Sequence, residues 1–395
     1  MDAFARINTL QRRRFMKEQT KERNRRRSRR MPGWAIVVIS VVATLAVMVG
    51  AVFFVLGSEG VSLMEGWALA KYAFVEPDAD LGVAADDALR GLVNGLGDRW
   101  SYYLTEEDYK RVSENRANNY VGIGVTVNYQ REEGLLVQEV TVGGPAEESG
   151  IMVGDLIVAV DGQPIAGDAR ATAVDLIQGK SGTKVKLTLI GADGTLRDVT
   201  CTRRKIQKES ASGELLEGKI GYVKLDNFYS GAADSFRKVV DRLCMDGAEG
   251  LIVDLRSNPG GYISELEEIL DYLLPEGPVF TEVPRWGAKS VYESDVNFVD
   301  LPMVVLVNKD SYSAAELLAA QLRESIGAPV VGELTSGKGY SQITFRLPNG
   351  GGIGLSTARY CTGSGVSLIG TGITPDVETP DVNEQLQAAI DLLNQ

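Results

Sequence analysis

The 395-residue sequence contains no histidine, and this absence excludes the most common designs for a serine nucleophile and for a zinc site. A serine enzyme of this composition would need a lysine or a carboxylate to take the proton of its hydroxyl. Cysteine is also scarce: Cys201, Cys244 and Cys361 are odd in number and match no metal-ligand spacing. The sequence therefore predicts no metal and no other cofactor, and it predicts cysteines that pack as small apolar residues rather than form a disulfide.

Positive charge is concentrated near the N-terminus, and the stretch that follows has no charge. Residues 1–31 carry 12 Lys/Arg and 3 Asp/Glu, whereas the rest of the chain carries 29 and 50. The 23 residues from Trp34 to Leu56 are uncharged and nearly all apolar. As a helix this stretch spans roughly 35 Å at about 1.5 Å per residue, enough to cross a bilayer core of about 30 Å.

The basic segment 1–33 and the apolar segment 34–56 together predict a single-pass signal anchor in the cell membrane. Positive charge before the span keeps the N-terminus cytoplasmic and places the remaining chain outside the cytoplasm. A basic arm that binds nucleic acid is the alternative, but its position directly before the span favours control of topology, so we expect no nucleic-acid partner. A cleaved signal peptide is disfavoured because the apolar stretch is long and ends at no small-x-small site.

The remaining chain divides into four segments by its apolar pattern. Residues 59–112 have apolar residues at helical spacing, interrupted by a turn at residues 75–78, and predict a small helical region. Residues 113–205 predict short strands separated by glycines. Strands and helices alternate over residues 206–380, which is typical of an α/β layer with a largely parallel sheet. Residues 381–395 predict a helical tail.

Ser313 is predicted to lie where a strand turns into a helix. Met303 to Val307 is a short valine-rich run typical of a buried strand, and the residues after Ser313 have apolar side chains at helical spacing. Such a turn exposes a hydroxyl and aims backbone N–H groups of the new helix at whatever the oxygen attacks. On this stretch alone, a serine at 311 or 313 that merely caps the helix is the better interpretation.

Lys338 is the candidate base for Ser313. With a reference pKa of about 10.4, roughly one lysine in 2,500 is neutral at pH 7, and lowering the pKa by about three units costs roughly 4 kcal/mol, which burial can supply. The alternative is a solvated surface lysine. Gln342, four residues on, cannot titrate and would hold or orient the amine.

Two glycine-rich stretches have a second interpretation. Gly332 to Lys338 nearly matches the sequence pattern of a phosphate-binding P-loop. Two features disfavour that interpretation: Gly339 replaces the required Ser or Thr, and a strand-like run follows where a P-loop needs a helix. Gly260 and Gly261 precede a predicted helix and would free backbone N–H groups for an oxyanion. A tight turn without chemistry explains these two glycines equally well.

The stretch from Gly143 to Gly162 resembles a PDZ domain of the bacterial protease-associated kind. Such domains bind a peptide C-terminus as an added strand and hold its carboxylate with backbone N–H groups of a glycine loop. Gly122, Ile123 and Gly124 match that loop. The alternative is that these glycines only shape the end of a strand.

Taken together, the PDZ segment and three further stretches, Leu255–Gly261, Asn308–Glu316 and Thr335–Gly339, resemble the carboxyl-terminal processing (tail-specific) proteases of peptidase family S41. The resemblance covers roughly residues 60 to 380. It implies an α/β protease core with ClpP/crotonase-like βαβ layers and an inserted PDZ domain. It departs from the family at Tyr312, often a small residue there, and at Ala315, often a serine.

The resemblance also implies roles for individual residues. Ser313 would be the nucleophile, Lys338 the general base and Gln342 its supporting residue, and the backbone N–H groups of Ala314, Gly260 and Gly261 would form the oxyanion hole. The predicted function is a membrane-anchored serine endopeptidase that cleaves proteins or peptides bearing a free C-terminus. The PDZ domain would recognise that terminus and gate the site, and residues 59–112 would mediate self-association. The alternatives are a catalytically silent PDZ scaffold and a small-ester hydrolase.

Overall fold

The computed structural model describes residues 12–23, 32–76 and 78–395 and divides into two units, one up to Ala85 and one from Asp86. The first unit contains helix α1 (residues 12–23) and helix α2 (Gly33–Ala73), which is interrupted at Gly57, where φ is 66° and ψ is −175°. Helix α2 is long and apolar enough to cross a membrane, by length and composition only, and a signal sequence would pass the same test. Parts of the predicted basic segment, and position 77 of the predicted turn, lie outside the described residues.

The boundary between the two units lies within helix α3 (Leu81–Asn94), so the second unit begins with the greater part of that helix. Strand β1 (Tyr102–Leu104) and helix α4 (Glu106–Arg116) follow. Strand β1 thus lies inside the stretch 59–112 that was predicted as a helical region, and α4 continues beyond the end of that stretch to Arg116. Strand β1 forms because it pairs antiparallel with a strand some 250 residues later (Tyr103 with Ile353), a partner that local periodicity does not reveal.

A module rich in β-structure comes next. Its elements are β2 (Asn119–Gly122), β3 (Val125–Asn128), β4 (Leu135–Val140), α5 (Pro145–Glu148), β5 (Leu156–Val160), β6 (Gln163–Pro164), α6 (Arg170–Ile177), β7 (Lys184–Ile190), β8 (Leu196–Thr202) and β9 (Arg204–Gln207). One sheet has the order β3-β4-β5-β7-β8, and β2 pairs with β9 outside it. Alternating residues of its strands, together with Cys201, form a separate apolar core.

The C-terminal module alternates strands and helices. Its elements are β10 (Ala211–Leu216), β11 (Ile220–Leu225), α7 (Ala232–Met245), β12 (Gly250–Asp254), α8 (Ile263–Leu273), β13 (Gly277–Pro284), β14 (Ser290–Ser294), β15 (Met303–Val307), α9 (Ala314–Ile326), β16 (Val330–Gly332), β17 (Tyr340–Arg346), β18 (Gly352–Thr362), β19 (Val377–Glu378) and α10 (Val382–Leu393). Two sheets result. One is antiparallel with the order β1-β18-β13-β14, in which β17 also pairs with β18, and the other has the order β10-β11-β12-β15-β16-β19.

The sheet that contains β12 and β15 is parallel except at β10, as the βαβ pattern predicted. Every residue of β12 and β15 is buried because both faces of the sheet are covered. On one face Val253 and Val305 pack with residues of α7, α8 and α9, and on the other face Ile252 and Val304 pack with α10.

The parallel sheet positions the candidate site. Strands β11, β12, β15 and β16 run in the same direction, so the loops that follow them lie at one edge of the sheet. The loops after β12, β15 and β16 contain Gly260, Ser313 and Lys338, respectively. The carboxyl edge of a parallel sheet is where α/β folds usually bind ligands. The domain boundaries at residues 113, 206 and 381 stay predictions.

The three cysteines are free, but only Cys201 is buried as predicted. Cys244 is exposed on the last turn of α7, and Cys361 is half-buried.

Candidate active site

Ser313 occupies the N-cap position of α9 in a strained backbone conformation. Its φ of 64° and ψ of −122° lie in a region that residues other than glycine rarely adopt. The conformation is held because all residues from Ala314 to Leu322 are buried and because the Ser313 N–H donates to Glu316 Oε2 at 3.0 Å. A hydroxyl at this turn lies beside helix N–H groups that have no intrahelical acceptor.

A cavity of about 470 Å³ opens at this turn. It is lined by all six residues predicted as the catalytic set of the α/β module, namely Gly260, Gly261, Ser313, Ala314, Lys338 and Gln342. Apolar side chains from β1, α8 and α9, among them Leu104, Leu266 and Leu317, cover another part of its wall. The cavity therefore combines a hydroxyl, an amine and free backbone donors with an apolar surface that fits a substrate side chain.

Two successive hydrogen bonds through Gln342 hold the Lys338 amine in place. Its Nζ donates to Gln342 Oε1 at 2.9 Å, and Gln342 in turn donates its Nε2 to the carbonyl of Trp100. The rings of Trp100 and Tyr312 lie 5.2 Å and 5.8 Å from Nζ and shield it from water. Ser313 Oγ is not hydrogen-bonded to the amine, so in this state the lysine is oriented by Gln342.

Burial lowers the pKa of Lys338 to about 8, and repulsion by Arg116 acts in the same direction, while Asp98 and Glu316 oppose it. At a pKa of about 8 roughly a tenth of the amines are neutral at pH 7, against roughly one in 2,500 for an ordinary lysine. The lysine can therefore accept a proton near neutral pH.

We expect peptidase activity to rise with pH through about 8, because only the neutral amine accepts a proton. The free energy of unfolding should also rise from about pH 8 towards 10.5, since the folded state binds fewer protons there than the unfolded state. The pH profile of kcat/KM and chemical denaturation across this range measure the two effects. A profile that is flat from pH 6 to pH 9 would contradict the assignment.

The loop after β12 is fixed against the Ser313 turn by Asn258, which is fully buried. Its Oδ1 accepts the N–H of Gly260 at 2.8 Å, its Nδ2 donates to the carbonyl of Leu225 at 2.7 Å, and its carbonyl accepts the N–H of Tyr312 at 3.1 Å. Of the predicted oxyanion donors, Gly260 is thus already engaged. In the described residues the N–H groups of Gly261 and Ala314 have no acceptor, so these two remain available for a developing oxyanion.

Gly260→Ala should reduce kcat by about 100-fold or more, because a methyl group there would displace the serine turn. The added Cβ would lie 2.8 Å from Ser313 Cβ and 2.9 Å from Ala314 N, and φ at this position is +77°. Gly247→Ala is the matched control, since φ there is +93° but no atom lies near the added methyl. It should cost about 1 kcal/mol of stability with unchanged kcat. Equal losses of kcat in both variants would show that backbone strain alone is responsible.

Sequence reasoning missed two residues that organise the site. Glu316 is fully buried and accepts four hydrogen bonds, from the Ser313 N–H, from Thr335 Oγ1 at 2.5 Å, and from the Gly337 and Lys338 N–H groups at 2.7 Å and 2.9 Å. The Ser-x-x-Glu spacing of a capping box could have identified it. Trp100 had no such signal, because it reaches the lysine only through the fold.

The predicted carboxylate loop lies in the β-rich module, apart from the cavity. Gly122 ends β2, Gly124 has a φ of +82°, and the edge strand β3 follows. The Ile123 side chain belongs to the apolar core, and its carbonyl accepts the N–H of Ala146 at 2.8 Å. Among the described residues, strand β3 pairs only with β4, so its other edge has room for an added strand.

Comparison with known proteins places the chain in a family. The sequence profile of peptidase family S41 matches residues 219–379, and that of the PDZ domain matches residues 111–190. The carboxy-terminal processing protease CtpA of Bacillus subtilis is 35% identical over 300 residues, which are 75% of this chain and 64% of that protein. The carboxyl-terminal-processing protease of Picosynechococcus sp. is 31% identical over 348 residues, which are 84% of each chain.

Among solved structures, the photosystem II D1 C-terminal processing protease is 27% identical, with 84% of this chain and 97% of that chain covered and a TM-score of 0.46. The sequence matches define a serine peptidase core joined to a PDZ domain. The chain belongs to the carboxyl-terminal processing proteases of peptidase family S41.

Proposed function

We propose that this protein is a serine endopeptidase in which Ser313 and Lys338 form the catalytic dyad and cleave protein substrates near their C-termini. The observation that carries the proposal is the Lys338 amine with its lowered pKa, held by Gln342 in the same cavity as Ser313. A lysine kept partly neutral by burial is a residue type that activates a serine where histidine is absent.

The chemistry then follows from the positions of the groups. Neutral Lys338 takes the proton of Ser313 Oγ as the oxygen bonds to the substrate carbonyl carbon, and the carbonyl oxygen becomes negative. The N–H groups of Gly261 and Ala314 stabilise that oxyanion. The lysine then gives its proton to the leaving nitrogen as the C–N bond breaks, which leaves an acyl-enzyme. Water attacks the ester carbonyl, its proton passes to the lysine and then to Ser313 Oγ, and the new carboxyl terminus departs.

The PDZ domain is proposed to capture the substrate C-terminus and to gate the cavity. The free edge of β3 and the glycine loop at Gly122 and Gly124 support this role, because they suit a peptide added as a strand with its carboxylate at the loop. Ile123 would contribute through its backbone only, since its side chain is 1% exposed.

Three further proposals concern architecture and location. The uncharged run 34–56 within α2, preceded by the basic segment, supports a membrane anchor with the catalytic domain outside the cytoplasm. The parallel sheet covered on both faces supports ClpP/crotonase-like layering of the core. Self-association through residues 59–112 stays a prediction.

A fluorophosphonate probe and a peptide assay test the proposed activity. The full chain in detergent should be labelled, and Ser313→Ala should lose the label and the cleavage of peptides with a free C-terminus. Ser311→Ala is a matched serine control, because Ser311 Oγ is buried and donates to the Leu255 carbonyl at 2.8 Å. Labelling with no peptide cleavage would favour a small-ester hydrolase, and no labelling would favour a silent PDZ scaffold.

A further inference from the structure

Arg116 is a cation in the catalytic cavity for which the described part of the chain supplies no carboxylate. It is the last residue of α4, it is half-buried, and its side chain lines the cavity with Ser313 and Lys338. Its guanidinium makes one long hydrogen bond, from Nη2 to the hydroxyl of Tyr102 at 3.4 Å. Arg111 on the same helix differs, since it pairs with Asp108 at 2.5 Å and is exposed.

The guanidinium lines the same cavity as Ser313, Lys338 and Tyr312, and its charge acts on the lysine and the tyrosine. After burial, Arg116 is the next cause of the lowered pKa of Lys338. Burial raises the pKa of Tyr312, and Arg116 acts against that increase. The carboxylates that face Lys338 are Asp98 and Glu316. Asp98 is engaged with Ser101 Oγ and the Trp100 N–H, and Glu316 holds its four donors, so neither is free to pair with Arg116.

The half-buried guanidinium of Arg116 therefore has a positive charge that a bound anion could neutralise. Arginine presents a planar fork of donors that matches a carboxylate, and such charge-assisted hydrogen bonds are about twice as strong as neutral ones. The backbone of a bound peptide carries no charge, so the anion that pairs with Arg116 would be a side chain or the C-terminus of the substrate. We propose that Arg116 binds a substrate carboxylate beside the scissile peptide bond. This inference rests on the proposed function of the cavity.

The carboxylate has two possible sources. One is an Asp or Glu side chain close to the cleaved bond, and the other is the substrate C-terminus itself when the tail to be removed is short. Either anion would neutralise Arg116 and thus remove repulsion from Lys338 in the complex. For a carboxylate-bearing substrate, the pKa of Lys338 seen in kcat should therefore lie above the pKa seen in kcat/KM, whereas a neutral substrate should give the same value in both profiles.

The kinetic test uses two matched peptide pairs. The first pair carries Glu or Gln next to the cleaved bond, both with an amidated C-terminus that gives the PDZ domain no ligand. The second pair lacks acidic residues and ends in a free carboxylate or an amide. The wild type should prefer the carboxylate member of at least one pair by about tenfold or more in kcat/KM. The pair whose preference depends on Arg116 identifies the source, since the PDZ domain can also favour the free C-terminus of the second pair.

Variants separate Arg116 from other causes of such a preference. Arg116→Gln should lose the preference, so that it cleaves the two members of each pair with similar kcat/KM, and its two pH profiles should coincide. Arg116→Lys should keep part of the preference, and Arg111→Gln should behave as the wild type. The proposal is overturned if Arg116→Gln keeps the preference in every pair in which the wild type shows one, or if the wild type shows no preference in either pair.

A binding measurement keeps this inference distinct from the proposed activity. Calorimetric titration of the same peptides into Ser313→Ala and Ser313→Ala/Arg116→Gln needs no turnover. Tighter binding of the carboxylate member only where Arg116 is present supports the inference even if the wild type cleaves nothing. Equal binding by the two variants overturns it, whether or not the peptidase is active.

Discussion

Lys338→Arg and Lys338→Met should each lower kcat by about 1,000-fold or more, while the protein stays folded. Arginine keeps the positive charge and the reach of the side chain, but its guanidinium does not give up a proton in proteins and therefore cannot accept one from Ser313. Methionine keeps the apolar stem and removes the amine altogether. Single-turnover cleavage of a peptide with a free C-terminus, measured at pH 8, gives the rate of the chemical step in each variant.

Lys338→Met should lose activity without losing stability. The lowered pKa of Lys338 means that the fold penalises the ammonium form at neutral pH, so an uncharged side chain removes that penalty. The free energy of unfolding of Lys338→Met should therefore be equal to or higher than that of the wild type at pH 7. Lys309→Met is the matched control, because Lys309 is an exposed lysine in the same loop as Ser313, and it should change neither quantity. Substantial peptidase activity in Lys338→Arg would refute the assignment of the base.

The buried strands and the turns that follow them could be predicted, because their local sequence determines them. Strands β12 and β15 are short runs of apolar residues, and the turns that follow them are rich in Gly, Asn and Ser, so the sheet edge that carries Gly260 and Ser313 could be predicted. The place of Lys338 in the fold was predictable as well, since it stands between two glycines in a loop ahead of a strand. Each of these assignments depends on fewer than about ten neighbouring residues.

The contacts that tune the site were not predictable, because they join distant parts of the chain. Trp100 belongs to the segment 59–112 that periodicity assigns to a helical region, and Arg116 belongs to the segment 113–205 predicted to form short strands. The two residues reach the cavity through the pairing of β1 with β18. Gln342 receives its orientation from a carbonyl 242 positions earlier in the chain. Local patterns predict what kind of residue is present, whereas the pKa of Lys338 depends on which distant residues surround it.

Glu316→Gln should lower kcat by about 100-fold or more and cost roughly 3 kcal/mol of stability or more. The carboxylate accepts two donors at each oxygen: Thr335 and Gly337 at Oε1, and Ser313 and Lys338 at Oε2. A glutamine amide has one acceptor oxygen, so its NH₂ group would face two donors that then have no acceptor. Because those donors belong to the loops that carry the nucleophile and the base, the distance between Ser313 and Lys338 would change.

The matched control is Glu265→Gln, since Glu265 also accepts two backbone N–H groups, from Gly231 at 2.9 Å and Ala233 at 2.8 Å, at the start of α7. It should lower the free energy of unfolding by a similar mechanism and leave kcat within a few-fold of the wild type. Denaturant unfolding and single-turnover kinetics on the two variants separate lost stability from lost positioning. If Glu316→Gln kept wild-type kcat, the two loops would hold their spacing without the carboxylate. If Glu265→Gln lost as much kcat as Glu316→Gln, the effect would be general destabilisation rather than the alignment of Ser313 with Lys338.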